Sequence, residues 1–128
     1  MEIGAKFKVT MKVEEKDTAK AHGSGTLDVL ATPRMIELME ESAYKCIEKY
    51  LDDTQSSVGT YLDVKHLSAT PVGMEVYAES EIIELDGRKV VFFVKAYDEK
   101  GLIGEGKHER FIVFSEKFVT KTYQKFEK

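Results

Sequence analysis

Cysteine is almost missing from this chain: Cys46 is the only one in 128 residues. A lone thiol forms no internal disulfide, which fits a reducing compartment. It also excludes a CxxC redox centre and a Cys/His zinc site, because three scattered histidines lack the ligand spacing. Proline occurs twice, at Pro33 and Pro71, each at an apparent element boundary. No low-complexity tract, internal repeat or Pro/Gly-rich linker interrupts the chain. No stretch approaches the ~18 apolar residues of a membrane span. The amino-terminal Met-Glu-Ile-Gly-Ala-Lys has no apolar signal core, so a soluble, cytoplasmic protein without a membrane partner is expected. Basic charge is not in excess either. Nineteen Lys and Arg against 23 Asp and Glu give a net charge of −4, which argues against a nucleic-acid partner. No serine sits in a GxSxG elbow, which argues against a serine hydrolase of that type.

What is present is a globular composition, 42% hydrophobic and 33% charged, expected to form one domain over residues 1–128. Phe7, Val9, Met11 and Val13 alternate with Lys and Thr, the pattern of a half-buried strand. Glu14 to Gly25 is polar and reads as a loop, with Thr26 to Leu30 as a short extended segment. Thr32-Pro33 is a helix-start signal, the hydroxyl as a cap and the proline in the first turn. It opens one long helix to about Leu51. Everything after Ser57 reads as strand: Val58–Leu67, Met74–Glu84, Lys89–Tyr97 and Leu102–Phe114. Asp86-Gly87 between two such runs is a hairpin signal. The economical packing is an antiparallel, curved sheet of five to six strands wrapped around one helix, an α+β fold. One helix cannot cover such a sheet, so a homodimer with sheets joined edge to edge is expected.

Three positions stand out on this frame. At about 100° per residue, Ile36, Met39, Ala43, Cys46, Ile47, Tyr50 and Leu51 share one arc of the helix, and Glu40 falls inside it. A carboxylate turned towards a core is costly unless it is paired or lines a cavity, and burial raises its pKa towards the range of acid–base chemistry. Alternatively, Glu40 lies at the arc's edge and reaches solvent. A two-residue period puts His66 on one face with Val58, Thr60, Leu62 and Val64. There it is either a hydrogen-bonded core residue or a catalytic one. Gly59 marks a bulge or a close backbone approach in that strand. Thr32 is explained as an N-cap, yet a helix N-terminus also suits a developing oxyanion. Later, His108 and Arg110 share a face with Ile112 and Phe114, and the Gly104-x-Gly106 spacing marks a bend or crowded backbone. His22 belongs to the polar loop and reads as solvated.

The order of elements resembles the hotdog fold. Val29-Leu-Ala-Thr-Pro-Arg-Met-Ile-Glu-Leu-Met-Glu40, Ser57-Val-Gly-Thr-Tyr-Leu-Asp-Val-Lys-His-Leu-Ser-Ala-Thr-Pro-Val-Gly73 and Gly106-Lys-His-Glu-Arg110 together resemble the fluoroacetyl-CoA thioesterase-like family. The resemblance runs from about Phe7 to Lys121. It implies that Thr32, Glu40 and His66 form a catalytic group and that Gly59 is the active-site glycine; His108 and Arg110 are accessory candidates that could serve structure or substrate, and are not counted as catalytic. It implies hydrolysis of a small or medium acyl-CoA thioester, with CoA present only as part of the substrate and no metal or other cofactor. The expected assembly is a homodimer, or a pair of dimers as a tetramer. One departure concerns selectivity. The fluoroacetyl-specific enzyme has a phenylalanine-bearing lid before the helix, whereas Glu14 to Thr26 here contains no aromatic residue. A different or broader acyl group is therefore expected. The alternatives are a non-catalytic acyl-CoA-binding protein and a hotdog enoyl-thioester hydratase. Hydratases of that fold usually place His and Asp near the helix entrance, and Thr32 to Glu40 contains neither.

Overall fold

A computed structural model describes residues 1–128. The alternating segments become strands β1 (Lys6–Lys12), β2 (Gln55–His66), β3 (Glu75–Asp86), β4 (Lys89–Asp98) and β5 (Gly101–Phe114). They form a single antiparallel sheet in the order β1-β3-β4-β5-β2. Helices α1 (Ala19–His22), α2 (Thr32–Glu48) and α3 (Ser115–Tyr123) complete the chain. The β3–β4 hairpin turns at Gly87, where φ is +60°.

Helix α2 packs across β1, β3 and β4. Its buried face is Met35, Leu38, Met39, Ser42, Ala43, Cys46 and Ile47. That face is rotated from the arc expected from the sequence. Ile36 and Leu51 are only partly buried, and Tyr50 is exposed. Ser42 lies within the face because its polar groups are satisfied there: its hydroxyl donates to the Met39 carbonyl, and its own carbonyl accepts from Ser80 Oγ. The rotation moves Glu40 from inside the apolar arc to its edge. Phe92, Ile82, Val94 and Ile103 supply the sheet's side of the core.

The other face of the sheet carries a row of charge beside Phe93 and the stacked Tyr77 and Tyr97. Lys8, Glu79, Lys95, Glu105 and Lys65 stand opposite one another across all five strands and alternate in sign. Opposite charges at directly paired positions are favourable, and such a row keeps this face in water.

Two expectations are corrected. Residues after Phe114 were expected only as strand, but α3 follows β5; its apolar Phe118, Val119 and Tyr123 remain exposed. The polar segment 14–25 is not a plain loop: a 3-10 turn (Glu15–Asp17) and α1 lie within it. Thr18 caps α1 through its hydroxyl, and Gly23 closes it at φ +72°. No helix is long and apolar enough to cross a membrane.

Candidate active site

Thr32 and Glu40 lie two turns apart on α2, about 12 Å along its axis. They belong to two separate groups of side chains.

Thr32 is not the N-cap. Ala31 occupies that position in an extended conformation, and Pro33 falls in the first turn with its ring-fixed φ. The Thr32 hydroxyl is thereby free of its own helix and bonds to His66 Nδ1 at 2.7 Å. In the tautomer with the proton on Nε2, the hydroxyl donates and Nδ1 accepts. His66 Nε2 is buried and has no hydrogen-bond partner. Burial lowers the His66 pKa, with the Ser68 backbone opposing in part, so the ring is held neutral and competent as a base. Both side chains line a cavity of about 340 Å³, together with Ala19, Ser24, Val29 and Leu30 from the 14–31 segment. A larger cleft of about 920 Å³ beside α3 contains none of these residues.

Glu40 belongs to the second group. Its side chain is 38% exposed, and its carboxylate lies 3.5 Å from Arg110 Nη1. Arg110 is itself buried and anchored to β2, donating from Nε to Ser57 Oγ at 2.9 Å and from Nη2 to the Ser57 carbonyl at 3.0 Å. Its Nη1 also lies 3.2 Å from His108 Nε2, and His108 Nδ1 meets the Tyr61 carbonyl at 2.9 Å. Gly59 lies close above this cluster, and a side chain there would have to displace the flexible end of Glu40. A Cβ at Gly59 would stand 2.9 Å from Glu40 Oε2 and 3.2 Å from His108 Cε1. No hydrogen bond or ion pair joins Glu40 to Thr32 or His66.

Gly59 does two things at once. The β2–β5 register shifts between Gly59 and Tyr61, so Thr60 is a bulge. Before the bulge Ser57 and Gly59 pair with Ile112 and Arg110; after it Leu62, Val64 and His66 pair with His108, Gly106 and Gly104. The expected single face from Val58 to His66 is therefore broken at Thr60, and Val58, opposite Phe111, points the other way. The phase change brings Gly59 and His66 onto one side of the sheet. The crowding expected at Gly104 and Gly106 is present: side chains there would meet Met35 and the Asp63 backbone respectively.

Burial also lowers the His108 pKa, with the Tyr61 carbonyl opposing and Arg110 adding to the lowering. It lowers that of Arg110 too, against the charge of Glu40. A histidine held neutral in the fold but ordinary (about 6.5) when unfolded stabilises the protein above that pH. The contribution is lost as pH falls from about 6.5 through the lowered folded value. Urea midpoints measured from pH 7.5 to 5 should decline with acidity, and His108→Gln should flatten that decline. An unchanged slope in the variant would put the acid sensitivity elsewhere.

Arg110 contacts Glu40 directly, and His108 joins the group through Arg110. Their place opposite Leu62 and Gly59 follows from the β2–β5 register across the bulge, which no periodicity displays. His22 is exposed on α1, as its polar surroundings implied. No three His, Cys, Asp or Glu side chains converge as a metal site.

A profile of the family described as "FlK: Fluoroacetyl-CoA-specific thioesterase" matches residues 13–116. The chain belongs to this family. It is a hotdog-fold thioesterase, a hydrolase of thioesters. The fluoroacetyl-CoA thioesterase of Streptantibioticus cattleyicolor is 38% identical over 98 residues, which are 77% of this chain and 70% of that protein. A structure of the fluoroacetyl-CoA thioesterase FlK is 32% identical and superposes with a TM-score of 0.92, covering 98% of this chain and 97% of the other. A hot-dog-like protein from Thermanaerovibrio acidaminovorans, 23% identical, shares the fold at a TM-score of 0.90, with 100% of this chain and 95% of the other covered.

Proposed function

We propose that this thioesterase hydrolyses a small or medium, uncharged acyl-CoA to the free acid and CoA, without a metal or redox cofactor. The hydrogen bond from Thr32 to His66 on the cavity wall carries the reading. The Nε2 beside that bond is a buried polar atom without a partner, a proton-transfer site whose missing partner a bound thioester would supply. The cavity lining includes no Lys, Arg, Asp or Glu, which fits a neutral acyl group. It also includes no aromatic residue, which supports a substrate range wider than fluoroacetyl-CoA.

Thr32 positions the thioester, Glu40 serves as general base or nucleophile, and His66 moves the proton to the departing thiolate. The amide of Gly59 stabilises the oxyanion. Within one chain Glu40 is too far along α2 to reach a carbonyl held at Thr32, so two copies complete the site. β1 and β2 are the open sheet edges, and β2 is the one that carries Gly59 and His66. Antiparallel pairing of two β2 strands centred near Leu62 sets His66 of one copy against Val58 and Gly59 of the other. A homodimer of this kind brings Glu40 of one chain to Thr32 and His66 of the second.

The 2.7 Å bond favours a second division of labour, in which the Thr32 hydroxyl attacks and His66 takes its proton. An acyl group trapped on Thr32, read by mass after rapid quenching, would select it. The test of the main reading is thiol release from a panel of acyl-CoA esters, short to long, alongside sedimentation. Turnover of several short or medium esters by a dimer is expected. No turnover on any of them, or full activity in a monomer, would refute the reading or its dimeric site respectively.

A further inference from the structure

Asp17 is 3% exposed and belongs to neither group described above. Its Oδ1 accepts from Arg34 Nε at 3.1 Å, its Oδ2 accepts from the Glu14 amide at 2.9 Å, and its carbonyl accepts from the Ala31 amide at 2.9 Å. Arg34, in the first turn of α2, also pairs with Glu37 at 3.0 Å. The segment beyond Asp17 then doubles back on itself. The Ala19 amide donates to Val29 and the Lys20 amide to Leu27, while the Leu30 amide donates across to Thr70. Ala19, Ser24, Val29 and Leu30 of this segment form one side of the cavity whose other side holds Thr32 and His66.

We propose that the Asp17–Arg34 ion pair is a positioning clamp that sets substrate affinity and acyl selectivity in this enzyme. The inference rests on the reading of that cavity as the acyl site. The pair ties the start of the 14–31 segment to the first turn of α2, the same turn that carries Thr32. Roof and reacting end of the pocket are thus held by one connection. A roof ordered before substrate arrives spares the complex the entropy of ordering it. It also limits which acyl groups fit, since backbone bonds rather than a mobile side chain set its height. Removing Arg34 alone strands a buried carboxylate, whereas neutralising both partners leaves two uncharged amides, the shorter Gln still placing an N–H near where Arg34 Nε donates.

The test uses full-length wild type, Asp17→Asn, Arg34→Gln and the double variant. Steady-state kinetics on the acyl-CoA panel are combined with hydrogen exchange at the Ala19 and Ala31 amides. Each single variant should raise KM about tenfold on the best ester, flatten the acyl preference and leave kcat within about twofold. The double variant should be no worse than the weaker single, as coupled partners require. Exchange at both amides should quicken in the singles. A fall in kcat with KM and acyl preference unchanged, or additive losses in the double, would overturn the clamp. If wild type hydrolyses no ester, the assignment of the cavity fails on its own. Unchanged exchange in the variants would still separately show that Asp17 and Arg34 do not hold the roof.

Discussion

Glu40→Gln should lose at least ~10²-fold in kcat on the preferred ester, with KM within about threefold. Gln keeps the length and shape of Glu40 but cannot take up a proton as a carboxylate does. The variant should fold, because Arg110 keeps both bonds to Ser57 when its weaker 3.5 Å partner loses charge. The substitution leaves the Thr32 and His66 side chains that hold the substrate unchanged, which is why KM should hardly move. Stopped-flow thiol release with matched thermal melts would check this. Turnover equal to wild type would remove Glu40 from the chemistry and move the burden to the Thr32–His66 pair. Mixing Glu40→Gln with His66→Ala chains then tests the shared site. If the groups act across two copies, the mixed dimer has one site carrying both lesions and one with none, so about half of wild-type activity per dimer should return. No recovery would mean that each chain uses its own pair.

Gly106→Ala should be the most destabilising single-methyl change in the sheet, about 3 kcal/mol or a fall of about 10 °C in melting temperature. The added Cβ would overlap the Asp63 carbonyl oxygen and stand 2.7 Å from Val64 Cα. Both are backbone atoms of β2, so no side chain can rotate away to make room. Relief requires β2 to lift from β5, and that pairing carries Gly59 and His66 into place. Activity should therefore fall along with stability. Gly87→Ala is the contrast: nothing lies within 4 Å of its Cβ, and the φ of +60° alone is adverse. It should lower stability by about 1 kcal/mol and leave kcat unchanged. Differential scanning calorimetry on the two variants separates them, and equal melting temperatures would show that β2 accommodates the methyl.

Much of this protein is decided locally, and local decisions are legible. Alternating Val, Phe and Tyr at β4, the Asp86-Gly87 turn and the Thr-Pro start of α2 each depend on neighbours a few residues away. So does the oddity of Glu40 on a largely apolar helix face. These sufficed for the curved sheet around a helix and for Thr32, Glu40, His66 and Gly59 as candidates. The 114–115 boundary was less legible, because Phe118, Val119 and Tyr123 of α3 pack against little and leave a weak pattern. Long-range choices were not legible at all. The Thr32 hydroxyl could have capped its own helix; His66, brought up by the end of β2, draws it away. Arg110 and His108 face inwards because β5 sets them opposite the buried Val90 and Phe92 of β4, and an extra residue at Thr60 brings Gly59 and His66 to the same side; a two-residue period counted along one strand has no knowledge of its partner's register. Asp17 looked like one polar residue in a polar run. Its burial against Arg34 depends on the 14–31 segment folding back onto α2. Local propensity proposes side chains for a site; the pairing of distant strands and the packing of a long connection decide which of them meet.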